Sequence, residues 1–512
     1  MVLDLEQLPE EIRSQVEALQ SEKERLEHEN RLLLEQLRLA YLSKYGRRSE
    51  KLDNNQIALL GEEPTADEEP GPKAEEEEQD RPARKPKRPR KPHPGRQQLP
   101  AHLKRHERII PAEPEDQFCS QCEGEKAVIG YENTEQLAVI PAYYYVELIK
   151  REKRACKDHA EEGVSTAPAP DQILPGSKLG DSVIIDAVVK KYTEHQPIYR
   201  QCEALERDAG VELDRATLTE AVMTAGELLR PISQAMAEDL RNGPYIQADE
   251  SPTACQSRQK IGKNHQAYVW QYSRPGGPSV FDFQMGRSRD GPREFLGDFD
   301  GYLQSDGYTA YREVGGEGIT LVGCMAHVRR GFWRAHEVAK EDPRPLEILG
   351  LIKELYEIEE QARRENLSWQ ERGRLRAEKS APIANHLKER IIALRQESGV
   401  LPGSAFAKAC DYALAQWQYI EPIFADGRLE LDNNRCENSI RPLALGRKNW
   451  LHVGSETAGK KVAAILSIVE TCRRLGVNVR DYLEDVLPKV GQWPINRIAE
   501  LTPMAWAQLE SS

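Results

Sequence analysis

From residue 10 to residue 45 the chain runs without Gly or Pro, and its apolar positions recur with a seven-residue period. Ile12, Leu19, Leu26 and Leu33 take the d position of a heptad, while Val16, Lys23, Asn30 and Leu37 take a. A seam held for about four heptads predicts a helix paired with a second copy, and a polar residue at a fixes register in favour of two strands. Further along, helical periodicity over Asp181–Tyr192 and Gln196–Asp208, a turn at Gly210 and an N-cap at Asp214 outline a helix-turn-helix. The pattern then becomes that of strands: Tyr245–Glu250, His265–Tyr272, Ser279–Gln284, Gly301–Asp306 and Ile319–Gly323, the last leading into a basic helix at Val328–His336. Residues 341–425 return to helical composition, and Leu431–Pro442 reads as a capped helix start.

No apolar run approaches the ~20 residues that span a bilayer. The first residues also lack the basic-then-apolar order of a secretory signal, so a cytoplasmic protein without membrane contact is expected.

Charge alters the reading because it is blocked. The balance of 71 basic against 84 acidic residues argues on average against a nucleic-acid partner. Yet residues 62–80 carry ten acids and one Lys, and residues 81–96 carry eight Lys or Arg, five Pro and no acid. Neither block can bury enough apolar surface to fold. The basic block, with Arg84, Lys85, Lys87, Arg88, Arg90 and Lys91, suits phosphate neutralisation, and the acidic block can shield it. A linker whose halves merely cancel is the competing reading.

Two ligand pairs follow. Cys119 and Cys122, then Cys156 and His159, have the spacing with which paired turns grip tetrahedral zinc, and Tyr143–Val146 between them reads as a strand. Four protein ligands leave no open position, so this Zn²⁺ is expected to be structural. The other cysteines read as the free thiols of a reducing compartment.

Three expected strands, an acid-tipped strand, then a strand and a helix resemble a ribonuclease-H-like sheet. Asp249 and Asp306 then fall at the ends of neighbouring strands and repel unless cations bridge them. Oxygen donors of that kind suit Mg²⁺ or Mn²⁺, and two such ions support in-line displacement at phosphorus. Glu437 is a third acid, and Arg441, four residues on, shares its helix face and can hold phosphate; Arg447 and Lys448 extend that basic surface. His327 is expected beside the carboxylates, touching a phosphate, with Arg329 and Arg330 behind it. Cys324 and His327 alone supply half a zinc ligand set, so no second zinc is expected there. Trp450 reads as a helix anchor.

Ala248-Asp249-Glu250, Ser305-Asp306-Gly307-Tyr308, Gly323–Arg330 and the long stretch Asn433–Ser455 together resemble the insertion-sequence-66 transposases, bacterial enzymes of the DDE type. The resemblance runs from the leucine-rich start to Leu487. It implies that Asp249, Asp306 and Glu437 form the catalytic triad and that Cys119, Cys122, Cys156 and His159 occupy zinc-finger positions. His159 stands where a Cys is usual, and Ser251 where a Thr is usual.

The expected architecture is multidomain α+β: a coiled coil over 1–46, a charged linker over 47–110, and a zinc module over 111–165. A helical DNA-binding region over 175–240 follows. A ribonuclease-H-like core over 241–340 and 429–475 is split by a helical insertion over 341–428, and a tail covers 476–512. The implied activity is metal-dependent 3′-end cleavage of the element's terminal inverted repeats and strand transfer into target DNA. A homodimer, small companion proteins of the same element and nucleoid association are implied with it. Two rivals stay open: a catalytically inactive dimeric zinc-containing DNA-binding protein, and a metal-dependent nuclease that stops after hydrolysis.

Overall fold

The computed structural model describes residues 10–45, 143–155, 164–168, 170–256 and 263–510. Helix α1 (Glu10–Tyr45) is unbroken over 36 residues, as expected where nothing interrupts the pattern. Its d-position leucines face solvent, with Leu19 and Leu33 more than half exposed. Glu35 accepts the N–H of Ala405 and Arg38 donates to the carbonyl of Val338, so the polar face of α1 touches the main body.

Strands β1 (Lys153–Ala155) and β2 (Val164–Thr166) form a small antiparallel pair. Tyr143–Val146, expected as a strand, is not one: Tyr143, Tyr145 and Val146 are exposed, and no partner strand among the described residues takes up its backbone groups. The four expected zinc ligands and the basic block lie outside the described residues.

Helices α2 (Asp181–Tyr192), α3 (Ile198–Ala209) and α4 (Arg215–Arg241) appear where the periodicity put them. Gly210 ends α3 in the left-handed conformation, and the Asp214 carboxylate caps α4 by accepting the N–H of Ala216. These helices are not a separate module. Ile184, Val188, Val222, Leu229 and Ile232 share one core with the sheet that follows.

That sheet comprises β3 (Tyr245–Gln256), β4 (Asn264–Ser273), β5 (Ser279–Gln284), β6 (Tyr302–Gln304) and β7 (Thr320–Val322), in the order β5-β4-β3-β6-β7. Strands β3, β4 and β5 pair antiparallel, and β3, β6 and β7 pair parallel. The parallel half needs crossovers, which the short helix α5 (Asp290–Leu296) and the loop after β6 supply. Helix α6 (Met325–Val338) leaves β7 directly.

Residues 344–425 are helical as expected, with α7 (Arg344–Arg364), α8 (Trp369–Leu375), α9 (Ala381–Gln396), α10 (Ala405–Ile420) and the single turn α11 (Pro422–Ala425). They form a second core with the inner face of α6 through Ile352, Leu387, Ile391, Ala413 and Phe332. Helix α12 (Asn434–Trp450) runs through Pro442, α13 (Glu456–Leu475) covers β5 and α4, and α14 (Val479–Val490) and α15 (Pro503–Glu510) follow. Gly226 of α4 lets α13 pack tightly against it: a Cβ there would meet Lys461 at 3.0 Å. The expected tail is instead folded onto the core, with Tyr482 fully buried and its hydroxyl donating to the carbonyl of Leu501 at 2.6 Å.

Candidate active site

The site is built on one rung of the sheet. Gln247 of β3 pairs with Gln304 of β6 in parallel register, and Asp249 and Asp306 each lie two residues beyond it. Since side chains alternate along a strand, Asp249 leaves β3 on the face of that rung, and Asp306 follows in the bend just after β6. The sequence reading ended the first strand at the acid; instead β3 continues to Gln256 as the long arm of the β3–β4 hairpin, and only its pairing with β6 ends before Asp249.

The rung also places the third acid. Gln304 Nε2 donates to the carbonyls of Gly323 and Glu430, both at 2.9 Å, and its Oε1 accepts from Gln247 at 2.8 Å and from the Tyr245 hydroxyl. Gln247 Nε2 also donates to the carbonyl of Asp432 at 3.0 Å, and the N–H of Met325 bonds the carbonyl of Leu431. Residues 430–432 are therefore strapped across the strand ends, and α12 starts there with Glu437 in its first turn. An acid at that end of a helix also meets the positive end of the helix dipole.

Electrostatics shows how near these groups are. Burial, then the negative charges of Glu250, Glu437 and Asp306, push Asp249 up to about 8; the N–H of Glu250 at 2.9 Å pulls the other way. Burial also raises Glu437, partly offset by Arg330, whose guanidinium stands 3.5 Å from Glu437 Oε2. His327 Nδ1 lies 3.8 Å from Glu437 Oε1. Asp306 Oδ1 caps its own turn by accepting the N–H of Tyr308 at 2.9 Å. Carboxylates from three separate segments, with the charge of Asp306 felt by both Asp249 and Glu437, are oxygen donors that fit a hard divalent ion.

Arg441 is exposed and makes no ion pair among the described residues, so its guanidinium faces solvent; the guanidinium beside Glu437 is that of Arg330 on α6. Lys448 is exposed, and Arg447 donates to the Ser251 hydroxyl at 3.0 Å and to the carbonyl of Pro252, tying α12 to β3. Arg329 is half-buried, with its charge felt by Tyr356 in the insertion. Trp450 packs against the core, as an anchor should.

The sequence reading missed Glu250, Arg287 and Tyr311. Glu250 points to the opposite face from Asp249, its side chain 2% exposed. It accepts from Arg287 Nε at 3.0 Å and from the Tyr311 hydroxyl at 3.0 Å, and Arg287 stacks 3.9 Å over the ring of Tyr308. The available signal was the alternation itself: an acid on the inner face of a strand needs a cation.

Known proteins carry the same organisation. The family model described as "Transposase IS66 family" matches residues 176–461, more than half the chain. The model of the "zinc-finger binding domain of transposase IS66" matches 116–158, which takes in Cys119, Cys122 and Cys156 and stops one residue before His159. "IS66 C-terminal element" matches 467–504, and "Transposase C of IS166 homeodomain" matches 32–108. Two proteins of Sinorhizobium fredii (strain NBRC 101917 / NGR234), both described as uncharacterized, are similar along most of their length. Protein y4jD is 31% identical over 427 residues, 80% of this chain and 81% of its own. Protein y4qI is 33% identical over 440 residues, 82% of this chain and 78% of its own. Among the described residues no helix is long and apolar enough to cross a membrane. With the transposase model matched over more than half its length and two relatives above 30% identity along most of theirs, the chain belongs to the IS66 transposase family.

Proposed function

We propose that the protein is a DNA transposase that nicks the 3′ ends of its element at the Asp249–Asp306–Glu437 site and joins them to target DNA. The β5-β4-β3-β6-β7 sheet serves as its ribonuclease-H-like core. The observation that carries this reading is the convergence of acids around Asp249, which its burial and then the charges of Glu250, Glu437 and Asp306 push up to about 8. Asp249, Asp306 and Glu437 would hold Mg²⁺ or Mn²⁺, two ions being the number that in-line phosphoryl transfer uses. Such ions stabilise the charge developing on the attacking and leaving oxygens. The chain's own part is to fix the three carboxylates through the glutamine rung, and to present Arg330 and His327 to a phosphate at the edge of the cluster. Arg287, held by Glu250 over Tyr308, lines the approach for the strand.

Around this core, α1 would pair two chains through its exposed leucines, holding two element ends together. The basic block, the zinc module and the helices of 175–240 would read the terminal inverted repeats, with small companion proteins of the element assisting. The test uses duplexes carrying the element's ends, Mg²⁺ and those companions, with wild type compared with Glu437→Gln. Nicking and joining by wild type alone supports the reading. Binding without cutting by both moves an inactive binding protein ahead, and nicking without joining moves a nuclease ahead. Cutting that survives Glu437→Gln removes Glu437 from the site.

A further inference from the structure

In sequence Cys324 and His327 are half a ligand set; the fold brings a third member to them. Cys324 is the N-cap of α6 and His327 lies three residues on, so thiol and imidazole share the face of one helical turn. The first turn of α12 sets Glu437 against that face. One ligand atom from each of the three residues lies within 4.8 Å of the other two. His327 Nδ1 and Glu437 Oε1 are 3.8 Å apart. Donors around a tetrahedral ion with bonds of ~2.0–2.3 Å are themselves about 3.3–3.8 Å apart, so the three are close to a ligating arrangement. Glu437 Oε1 is buried and takes no hydrogen bond. The Cys324 sulfur accepts the N–H of Asn433 at 3.5 Å, which offsets only part of the burial that pushes its thiol up, so the thiolate needs the cation itself.

We propose that Cys324, His327 and Glu437 form a mononuclear site for a borderline-soft divalent cation of the Zn²⁺ class, beside the Asp249–Asp306 carboxylates and sharing only Glu437 with them. Thiolate and imidazole select such an ion over Mg²⁺. Binding releases the Cys324 thiol proton to solvent. An imidazole that ligates through Nδ1 carries its proton on Nε2, so Arg330, now 3.1 Å from Nε2, turns wholly to the second oxygen of Glu437, where it already stands 3.5 Å away. Three protein ligands leave a fourth position open, and the ion fixes the rotamer of an acid that the neighbouring site also needs.

The test is metal content, which needs no DNA and no cleavage. Full-length protein is stripped with chelator, loaded with Zn²⁺ or Co²⁺ and dialysed, with folding of every variant checked by thermal unfolding. Zinc held by the finger module is common to all samples. Wild type is expected to keep one equivalent more than Cys324→Ser, His327→Asn or Glu437→Gln, and the cobalt–thiolate absorption is expected to weaken in Cys324→Ser. Asp306→Asn is expected to match wild type. If Cys324→Ser does not fold, His327→Asn, on a half-buried ring, carries the comparison. Equal metal content in wild type and these variants overturns the site. A deficit shared with Asp306→Asn assigns the extra ion to the carboxylate cluster and overturns it equally.

Discussion

Two groups of buried acids in this protein meet opposite fates. In the insertion, burial pushes Glu359 up, but Arg376 and Arg372 outweigh that and hold it below the usual carboxylate range. Arg376 Nε reaches Glu359 Oε1 at 2.7 Å, and Arg372 Nη2 reaches Glu359 Oε2 at 2.6 Å and Glu430 Oε2 at 3.0 Å. Glu430 is likewise held low. At the sheet, burial and then neighbouring charges of its own sign push Asp249 up to about 8. The first group is neutralised within the chain and serves as a fastener; the second is where the proposed ions would bind. Burial alone does not distinguish a structural acid from one at a reaction site, whereas the sign of its neighbours does.

The sharpest way to break this contrast is Asp249→Asn. DNA cleavage is expected to fall by roughly 10³-fold, the equivalent of several kcal/mol of lost charge stabilisation, while binding to the ends persists; a cleavage assay beside a gel shift checks both. The same variant tests stability against pH in metal-free protein. A raised acid is held protonated more tightly in the folded state than in the unfolded chain. Its contribution is therefore complete below 3.8 and lost as pH climbs through about 8. The wild-type melting temperature should fall across that window and that of Asp249→Asn should fall less. Glu359 has the opposite sign, its contribution being lost as pH drops below the ordinary carboxylate range.

Next in size is Arg376→Met. It leaves buried Glu359 with Arg372 alone, and urea unfolding should show a loss of ~3 kcal/mol, with cleavage per folded molecule little changed. Gln304→Leu should cost about 2 kcal/mol, because two buried carbonyls lose their donor. Unlike Arg376→Met it should also lower cleavage per folded molecule, since the strap before Glu437 is released. The smallest effect is expected from Arg441→Ala: stability within ~0.5 kcal/mol of wild type, and at most a small uniform loss of DNA affinity that shrinks as salt rises. A large loss there would return Arg441 to the centre of the site.

Much of this was legible in the pattern of residues. The helices of 181–241, the strand Ser279–Gln284 and the helical run after residue 341 follow from period, caps and turns, which are local. The mutual influence of Asp249, Asp306 and Glu437 follows the expected order of acids along the chain, although Asp249 lies inside β3 and not at its end. What escaped depends on contacts between distant segments. Arg330, expected behind His327, stands beside Glu437 itself, because α6 and the start of α12 are brought together by the fold. The expected tail became a folded part of the core because Tyr482 and Leu483 pack against elements that no local pattern reveals. Tyr143–Val146 has strand composition without a partner among the described residues, and composition cannot supply one.

The glutamine rung has a consequence for how this chain tolerates mutation. Ile246 and Leu303, one residue before the rung, are paired and fully buried, so the register that seats them in the core also sets Asp249 beside Asp306. A one-residue slip of β6 would turn Leu303 outward and shift Asp306 in the same movement. An error in the placing of these acids is thus also a folding error, so the stability of the core guards the geometry of the proposed site.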